Sequence, residues 1–463
     1  MTSQLQSTLN AERVVTAESG AQQGILLVAY HFPPSAAVGG RRAANFASAL
    51  TSLGWRVRVV TIPDRSVEQL DPGRLAAVKG IPIDTAPVWP TVISLLTAAL
   101  KFRRRTPPAA TATAPPPPRT ASAIQSESMA RRVRRYVMSF AFLPDGEKGW
   151  CVPAIAGAVR QIRQHHLQWF MTSCPPYSVH LVGLMVRALT GARWIADFRD
   201  PWMTTGSKRL YPTCAASLAI ESWLERRVVE HADLVMFNVE RLRDAYRARY
   251  AHVTADKFVF IPNAITAGSG GAAPRLFERF TICYTGSLYV GRSPEPVFQA
   301  VSRLIQAGAI TPEAIRILLV GQCRSIDGTP TERVVTRYGL ESIVEVRDFV
   351  PYAEAFELVR MSHLALLLAP NLAYQIPAKV YDYLGAGTRI LAIAEEGGTA
   401  DLLRETAAGS AFASGNVDGI AAFILDELGS ASSSRPRRTS LGRLEAESLT
   451  KELVGHLSRV SNS

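Results

Sequence analysis

Gly24-Ile-Leu-Leu-Val-Ala-Tyr30, then Val38-Gly-Gly-Arg-Arg42, then Arg56-Val-Arg-Val-Val-Thr-Ile62: these three pieces decide the fold. The first is a continuous apolar run of strand length. The second is a glycine turn opening an amphipathic helix that runs to about Gly54. The third is a second β-branched strand. A strand, a crossover helix and a strand make a βαβ unit, which implies a parallel, doubly wound sheet.

The alternation continues downstream. Helical patterns at 153–165, 176–190, 214–231 and 239–249 alternate with strand patterns at 168–173, 193–197, 233–237 and 258–261. Ile261-Pro-Asn-Ala264 and the Gly/Ala-rich stretch after it read as a linker. A second series begins at Phe280-Thr-Ile-Cys-Tyr-Thr-Gly286, with strands at 315–320, 343–346, 363–368 and 389–393. Helices near 294–307, 331–338, 352–361, 377–386, 398–406 and 416–428 accompany it. The chain is therefore read as two Rossmann-like α/β domains facing a cleft, the carboxyl ends of their strands lining it. The expected layout is a leader at 1–22, a first domain at 23–262, a linker at 263–274 and a second domain at 275–429. A Ser/Arg linker at 430–440 and a helix at 441–463, crossing back to the first domain, complete it.

With 463 residues, 47% of them hydrophobic and 19% charged, the chain suits two or three globular domains. Its five cysteines are scattered without CxxC spacing, the pattern of buried thiols in a reducing cytoplasm. No uninterrupted apolar run reaches membrane-spanning length, and the first 22 residues lack the pattern of a secretory signal. The net charge of +12 is concentrated: residues 101–135 carry nine basic side chains and one acid, a net of +8, which leaves +4 elsewhere. The insertion at 103–130 is rich in Pro, Ala, Thr and Ser and reads as mobile. With its apolar flanks, residues 88–142 fit either an anionic membrane surface or a solvated excursion. Nucleic acid is not expected, because the arginines are not interleaved with aromatics on a folded face.

The chemistry-bearing stretch is Tyr374-Gln-Ile-Pro-Ala-Lys-Val-Tyr-Asp-Tyr-Leu-Gly-Ala-Gly-Thr-Arg-Ile-Leu391. It reads as loop, helix, turn and buried strand. Pro377 suits a first helical position, and Gly385 with Gly387 close the helix. Lys379 and Asp382 share a face. A helix start with open amides and a lysine beside it is an anion site suited to phosphate. Gly39 and Gly40 open the first domain's first helix in the same way. Gly286-Ser-Leu-Tyr-Val-Gly-Arg292 ends the second domain's first strand, and Arg292 suits a bidentate diphosphate contact. Asp197-Phe-Arg-Asp-Pro-Trp202 ends another strand. There Asp197 and Asp200 suit an acceptor hydroxyl with Arg199 as counter-charge, or form a structural Asp–Arg pair. Ser173-Cys-Pro-Pro-Tyr-Ser-Val-His180 enters a helix beside the same cleft, although a helical histidine more often packs than reacts. No cluster has metal-ligand spacing.

Together these motifs resemble the retaining GT-B glycosyltransferases of family 4, over roughly residues 24–428. The resemblance rests on Tyr30-His-Phe-Pro-Pro34 with Gly39-Gly40, Asp197–Trp202, Ile261-Pro-Asn263, Tyr284-Thr-Gly-Ser-Leu288 and Ile376–Gly387. It implies a sugar transferred with retention from a nucleotide-diphosphate-sugar to an acceptor hydroxyl, without a cofactor or metal. Asp200, Arg292 and Lys379 would be catalytic. Gly39, Gly40, Gly286, Ser287, Tyr374, Gln375, Ile376, Pro377, Ala378 and Asp382 would hold the donor. Arg41, Pro175, His180, Asp197, Arg199 and Trp202 would face the acceptor. The family's Glu-x7-Glu pair falls on Tyr374 and Asp382, so only the second position keeps a carboxylate. Ser287 falls where the family often has arginine, and Arg292 stands for its lysine. A saccharide or lipid-linked acceptor of the cell envelope or of an exopolysaccharide, met at the cytoplasmic membrane face, is expected. The same fold serves sugar-nucleotide epimerases and silent binding proteins, so fold alone leaves these open.

Overall fold

The computed structural model describes residues 23–91, 129–203, 213–266, 274–289, 291–430 and 441–462. The expected leader, and nearly all of the 103–130 insertion, lie outside these residues.

The first domain is built on seven parallel strands: β1 (Gly24–Val28), β2 (Arg56–Thr61), β3 (Ile83–Thr85), β4 (Trp169–Cys174), β5 (Arg193–Phe198), β6 (Leu234–Phe237) and β7 (Phe258–Phe260). They lie in the order β3-β2-β1-β4-β5-β6-β7. Its helices are α1 (Gly40–Ser52), α2 (Met129–Ala141), α3 (Cys151–His165), α4 (Ser178–Thr190), α5 (Ala215–His231) and α6 (Glu240–Arg249). Every residue of β1 is buried, as a central parallel strand requires. Its side chains alternate between two cores. Ile25 and Leu27 pack with Ala43, Phe46 and Leu50 of α1, while Leu26 and Val28 pack with α3 and α4. Burying each such aliphatic side chain contributes roughly 1.5–3 kcal/mol.

The second domain has β8 (Phe280–Thr285), β9 (Ile315–Val320), a small hairpin of β10 (Ser325–Ile326) and β11 (Thr329–Pro330), then β12 (Val344–Arg347), β13 (Leu364–Leu368), β14 (Arg389–Ile393) and β15 (Gly409–Phe412). Its parallel sheet runs β12-β9-β8-β13-β14-β15. The helices are α7 (Glu295–Gln306), α8 (Thr331–Arg337), α9 (Tyr352–Arg360), α10 (Lys379–Ala386), α11 (Gly398–Thr406) and α12 (Val417–Gly429). Again the strand side chains split between two layers: Ile282 and Tyr284 face α7 and α12, and Cys283 faces α9, α10 and α11.

The last helix, α13 (Ala446–Asn462), lies on the first domain, where Leu449, Leu453 and Leu457 join Phe46 and Leu50 in one core. The chain thus crosses between domains twice, after β7 and before α13. Both sheets have their switch of strand order beside their first strand, between β1 and β4 and between β8 and β13. Ligands of such sheets bind at the carboxyl ends near that switch. The short strands β3 and β15 and the hairpin were not expected from the sequence. Each has too few residues to show a period.

Candidate functional site

A cleft of about 590 Å³ lies between the strand ends of the two domains. The first domain contributes His31, Gly39 and Arg41 after β1, Pro175 and Tyr177 after β4, and Arg199 and Asp200 after β5. The second contributes Tyr289 and Arg292 after β8, and Gln375, Ile376, Pro377 and Ala378 after β13. Ten of the residues expected at the site from sequence therefore share one cavity.

On the second-domain side, α10 begins at Lys379, two residues later than expected, with Ala378 as its N-cap and no side-chain cap. The Gln375 amide donates to Asp200 Oδ1 across the cleft at 2.7 Å. The side chain of Lys379 does not line the cavity. Its ammonium donates to the Thr285 carbonyl and sits 4.9 Å from the centroid of the Tyr284 ring. It also presses against Gly286, whose φ is +136°; a Cβ there would meet the Lys379 Nζ at 1.7 Å. Burial, and then the Arg292 charge, push the Lys379 ammonium down to about 8. Arg292 itself lies over the Tyr289 ring at 4.3 Å. Two cations are thus held next to one another at the end of β8, and among the described residues neither makes an ion pair with a carboxylate.

Five expected donor residues stand outside the cavity: Gly286, packed on Lys379, and four more. Asp382 is not free to face a ribose: its Oδ1 accepts from Arg41 at 2.6 Å, Thr266 Oγ1 at 2.5 Å and Tyr352 at 2.9 Å, which ties the domains together. Tyr374 packs against the first domain's core. Ser287 turns its hydroxyl to Gln322 at 3.3 Å. Gly40 backs onto the His31 carbonyl and borders a second groove on the far side of Arg41.

On the first-domain side, three expected acceptor residues are scaffold. Asp197 is fully buried and its carboxylate takes the Arg42 Nε at 3.1 Å and the Ser173 hydroxyl at 2.6 Å. The other nitrogens of Arg42 donate to the carbonyls of Ile261 and Pro262 at 2.8 Å, which fixes the start of the linker. His180 is fully buried and its Nδ1 meets Thr172 Oγ1 at 2.8 Å. Burial, and then Arg199, lower its pKa to about 3, so it stays neutral. Trp202 is buried with its indole N–H on Glu221 at 2.8 Å. Arg199 does line the cleft, but it is no counter-ion for Asp197. It donates to the backbone carbonyls of Gly39, Cys174 and Pro175 at 2.6, 2.8 and 2.7 Å, pinning three cleft loops. That guanidinium explains Gly39, where a Cβ would stand 2.6 Å from Arg199 Nη1.

The sequence reading missed Asp145 and Glu147, which line the cleft on the loop before α3, together with His31 and Asn238. The only hint was a turn-rich stretch, Phe142–Trp150, carrying several charges.

Residues 39–264 match the family described as glycosyl transferase 4-like domain. No curated protein sequence matches the chain significantly. Among solved structures, HepE from Anabaena, in complex with UDP and glucose, is 14% identical, covers 95% of this chain and 100% of its own, and gives a TM-score of 0.57. The lipopolysaccharide outer core galactosyltransferase WaaB is 10% identical over 94% of this chain and 99% of its own, with a TM-score of 0.56. Sucrose-phosphate synthase from Thermosynechococcus elongatus is 14% identical over 95% and 98%, with a TM-score of 0.59. Residues 39–264 thus carry a glycosyl transferase 4-like domain, and the chain as a whole has the GT-B fold of a glycosyltransferase.

Proposed function

We propose that the cleft binds a nucleoside-diphosphate sugar with its diphosphate against Arg292, the Lys379 ammonium behind it, and the backbone at the start of α10. One observation carries this: two adjacent cations that, among the described residues, make no ion pair with a carboxylate, at the switch point of the donor-side sheet. Holding like charges together costs free energy that a bound dianion returns. As the glycosidic bond breaks, negative charge grows on the β-phosphate, where these groups would stabilise it. The first-domain wall, with His31, Glu147, Pro175 and Asp200, then receives the acceptor. The Gln375–Asp200 hydrogen bond and the Arg41–Asp382 ion pair hold the domains together and help exclude water.

The acceptor is proposed to be an envelope or exopolysaccharide saccharide on a lipid carrier, met at the inner face of an anionic membrane. Support comes from α2, which directly precedes the cleft loop. It exposes Met129, Val133, Tyr136, Val137 and Phe140 in a segment that also carries Arg134 and Arg135. No helix among the described residues is long and apolar enough to cross a membrane. Deleting residues 103–135 should abolish flotation with anionic vesicles; unchanged flotation would refute the membrane reading.

The donor reading is tested by thermal-shift screening against UDP-, GDP- and dTDP-hexoses. One of them should stabilise the chain, by about 2.7 kcal/mol at a hundredfold excess over its Kd. The same compound should stabilise Arg292→Ala far less. Equal shifts in both would remove the diphosphate from this place.

A further inference from the structure

A buried polar atom without a partner is costly to a fold, so each one calls for a reason. Among the described residues that carry such an atom, two line the cleft: Asn238, through its Oδ1, and Tyr381, through its hydroxyl. They are 4% and 2% exposed. Other polar groups of the cleft wall are committed. Asn263 Oδ1 accepts from Arg42 at 3.2 Å, Gln375 donates to Asp200 at 2.7 Å, and Asp145 accepts the Glu147 and Ser178 N–H groups at 3.1 and 2.7 Å. The two uncommitted side chains belong to one corner. Asn238 directly follows β6, and the Phe237 carbonyl before it accepts the Ile261 N–H at 2.9 Å, where β7 gives way to the linker. Tyr381 comes from the other domain, on α10, and its phenol stands beside the Asn263 backbone and the Arg42 charge. Burial pushes that hydroxyl up, so it stays protonated and can donate. Lys379, two residues earlier on α10, points to a different side, onto the Thr285 carbonyl at the end of β8.

We infer that Asn238 and Tyr381 determine which sugar the cleft takes: a hydroxyl of the transferred sugar donates to Asn238 and accepts from Tyr381. This rests on the donor reading above and adds to it the residues that read the sugar. The chemistry selects a hydroxyl over the donor's other groups. A phosphate oxygen brings no proton for Asn238 and would set two unprotonated oxygens against each other. An apolar group would leave both protein atoms as unsatisfied as before. A hydroxyl donates and accepts at once, so it serves both, whichever way the carboxamide is turned. The placement suits one ligand lying across the start of α10, its diphosphate on the Lys379 side and its sugar on the Tyr381 side. Because Asn238 belongs to the first domain and Tyr381 to the second, the hydroxyl is read only with the two domains together. A sugar lacking it is rejected, since both buried atoms then stay bare.

The experiment titrates the full chain calorimetrically with two compounds: whichever UDP-, GDP- or dTDP-hexose stabilises it most, and the matching nucleoside diphosphate. Tyr381→Phe removes a single oxygen, and Asn238→Leu replaces the carboxamide with an apolar group of similar size. Neither variant breaks a hydrogen bond to the removed oxygen, so the denaturation midpoint should hold or rise. Affinity for the nucleotide sugar should fall at least tenfold in each variant, while affinity for the nucleoside diphosphate stays within twofold. Equal losses for the two compounds would move the contact to the nucleotide and overturn the inference. So would an unchanged sugar affinity in Tyr381→Phe, or a lowered midpoint in that variant, which marks the hydroxyl as structural. A wild-type chain that binds neither compound would instead sink the donor reading, and this inference with it.

Discussion

Two clusters of charge stand at strand ends in this chain, and they are finished differently. At the end of β5, Asp197 and Arg42 are buried and their polar atoms are matched: both carboxylate oxygens meet Arg42 Nε, and the guanidinium also reaches two linker carbonyls. At the end of β8, Arg292 and Lys379 are left with aromatic rings and one carbonyl. Charged residues at strand ends therefore serve opposite ends. Charge neutralised inside the protein builds the scaffold, and charge left over marks where a ligand completes it.

The sharpest way to break the comparison is to damage each cluster and read both stability and binding. Asp197→Ala strands a buried guanidinium, so it should cost roughly 3–5 kcal/mol in chemical denaturation. Nucleotide affinity of the folded fraction should be unchanged, because Asp197 does not face the cleft. Arg292→Ala should do the reverse. Loss of a charge-assisted contact of about 1.5–3 kcal/mol should weaken nucleoside-diphosphate binding roughly 10- to 150-fold in calorimetry, with the denaturation midpoint held. If Arg292→Ala unfolds the chain as readily as Asp197→Ala, the distinction between the clusters fails. The smallest effect belongs to the interdomain pair Arg41–Asp382, whose side chains are partly exposed at 27% and 14%. A double-mutant cycle with Arg41→Met and Asp382→Asn should return a coupling of about 0.2–1 kcal/mol. A coupling of several kcal/mol would make the pair part of the scaffold instead.

The alternation of strands and helices was readable because long amphipathic helices and buried strands have distinct periods, and the two doubly wound domains followed from it. The cleft lining was readable in loops that leave the ends of strands: Gly39, Arg292 and the stretch from Gln375 to Ala378 all line it. It was not readable where direction decides. Asp197 and Asp200 lie three residues apart at one strand end, yet one points into the protein and the other into the cavity. Tyr374 stands one residue before the cavity-lining Gln375 and packs the other way. Glu147 precedes a helix rather than following a strand. Tertiary contacts, the burial of Trp150 and the Asp145–Ser178 hydrogen bond among them, carry its loop to the cleft.

Arg292 and Lys379, which make no ion pair with a carboxylate among the described residues, are proposed to hold a diphosphate, and titrating Lys379 tests this. Its ammonium, pushed down to about 8 by burial and by Arg292, must be charged to bind an anion. Calorimetric titration with a nucleoside diphosphate between pH 7 and pH 9.5 stays well above the phosphate's own ionisation at about pH 6. Wild-type affinity should fall as pH rises through about 8, while Lys379→Met should bind more weakly and lose that dependence. A Lys379→Met chain that binds as tightly as wild type, with the same pH profile, would contradict the account.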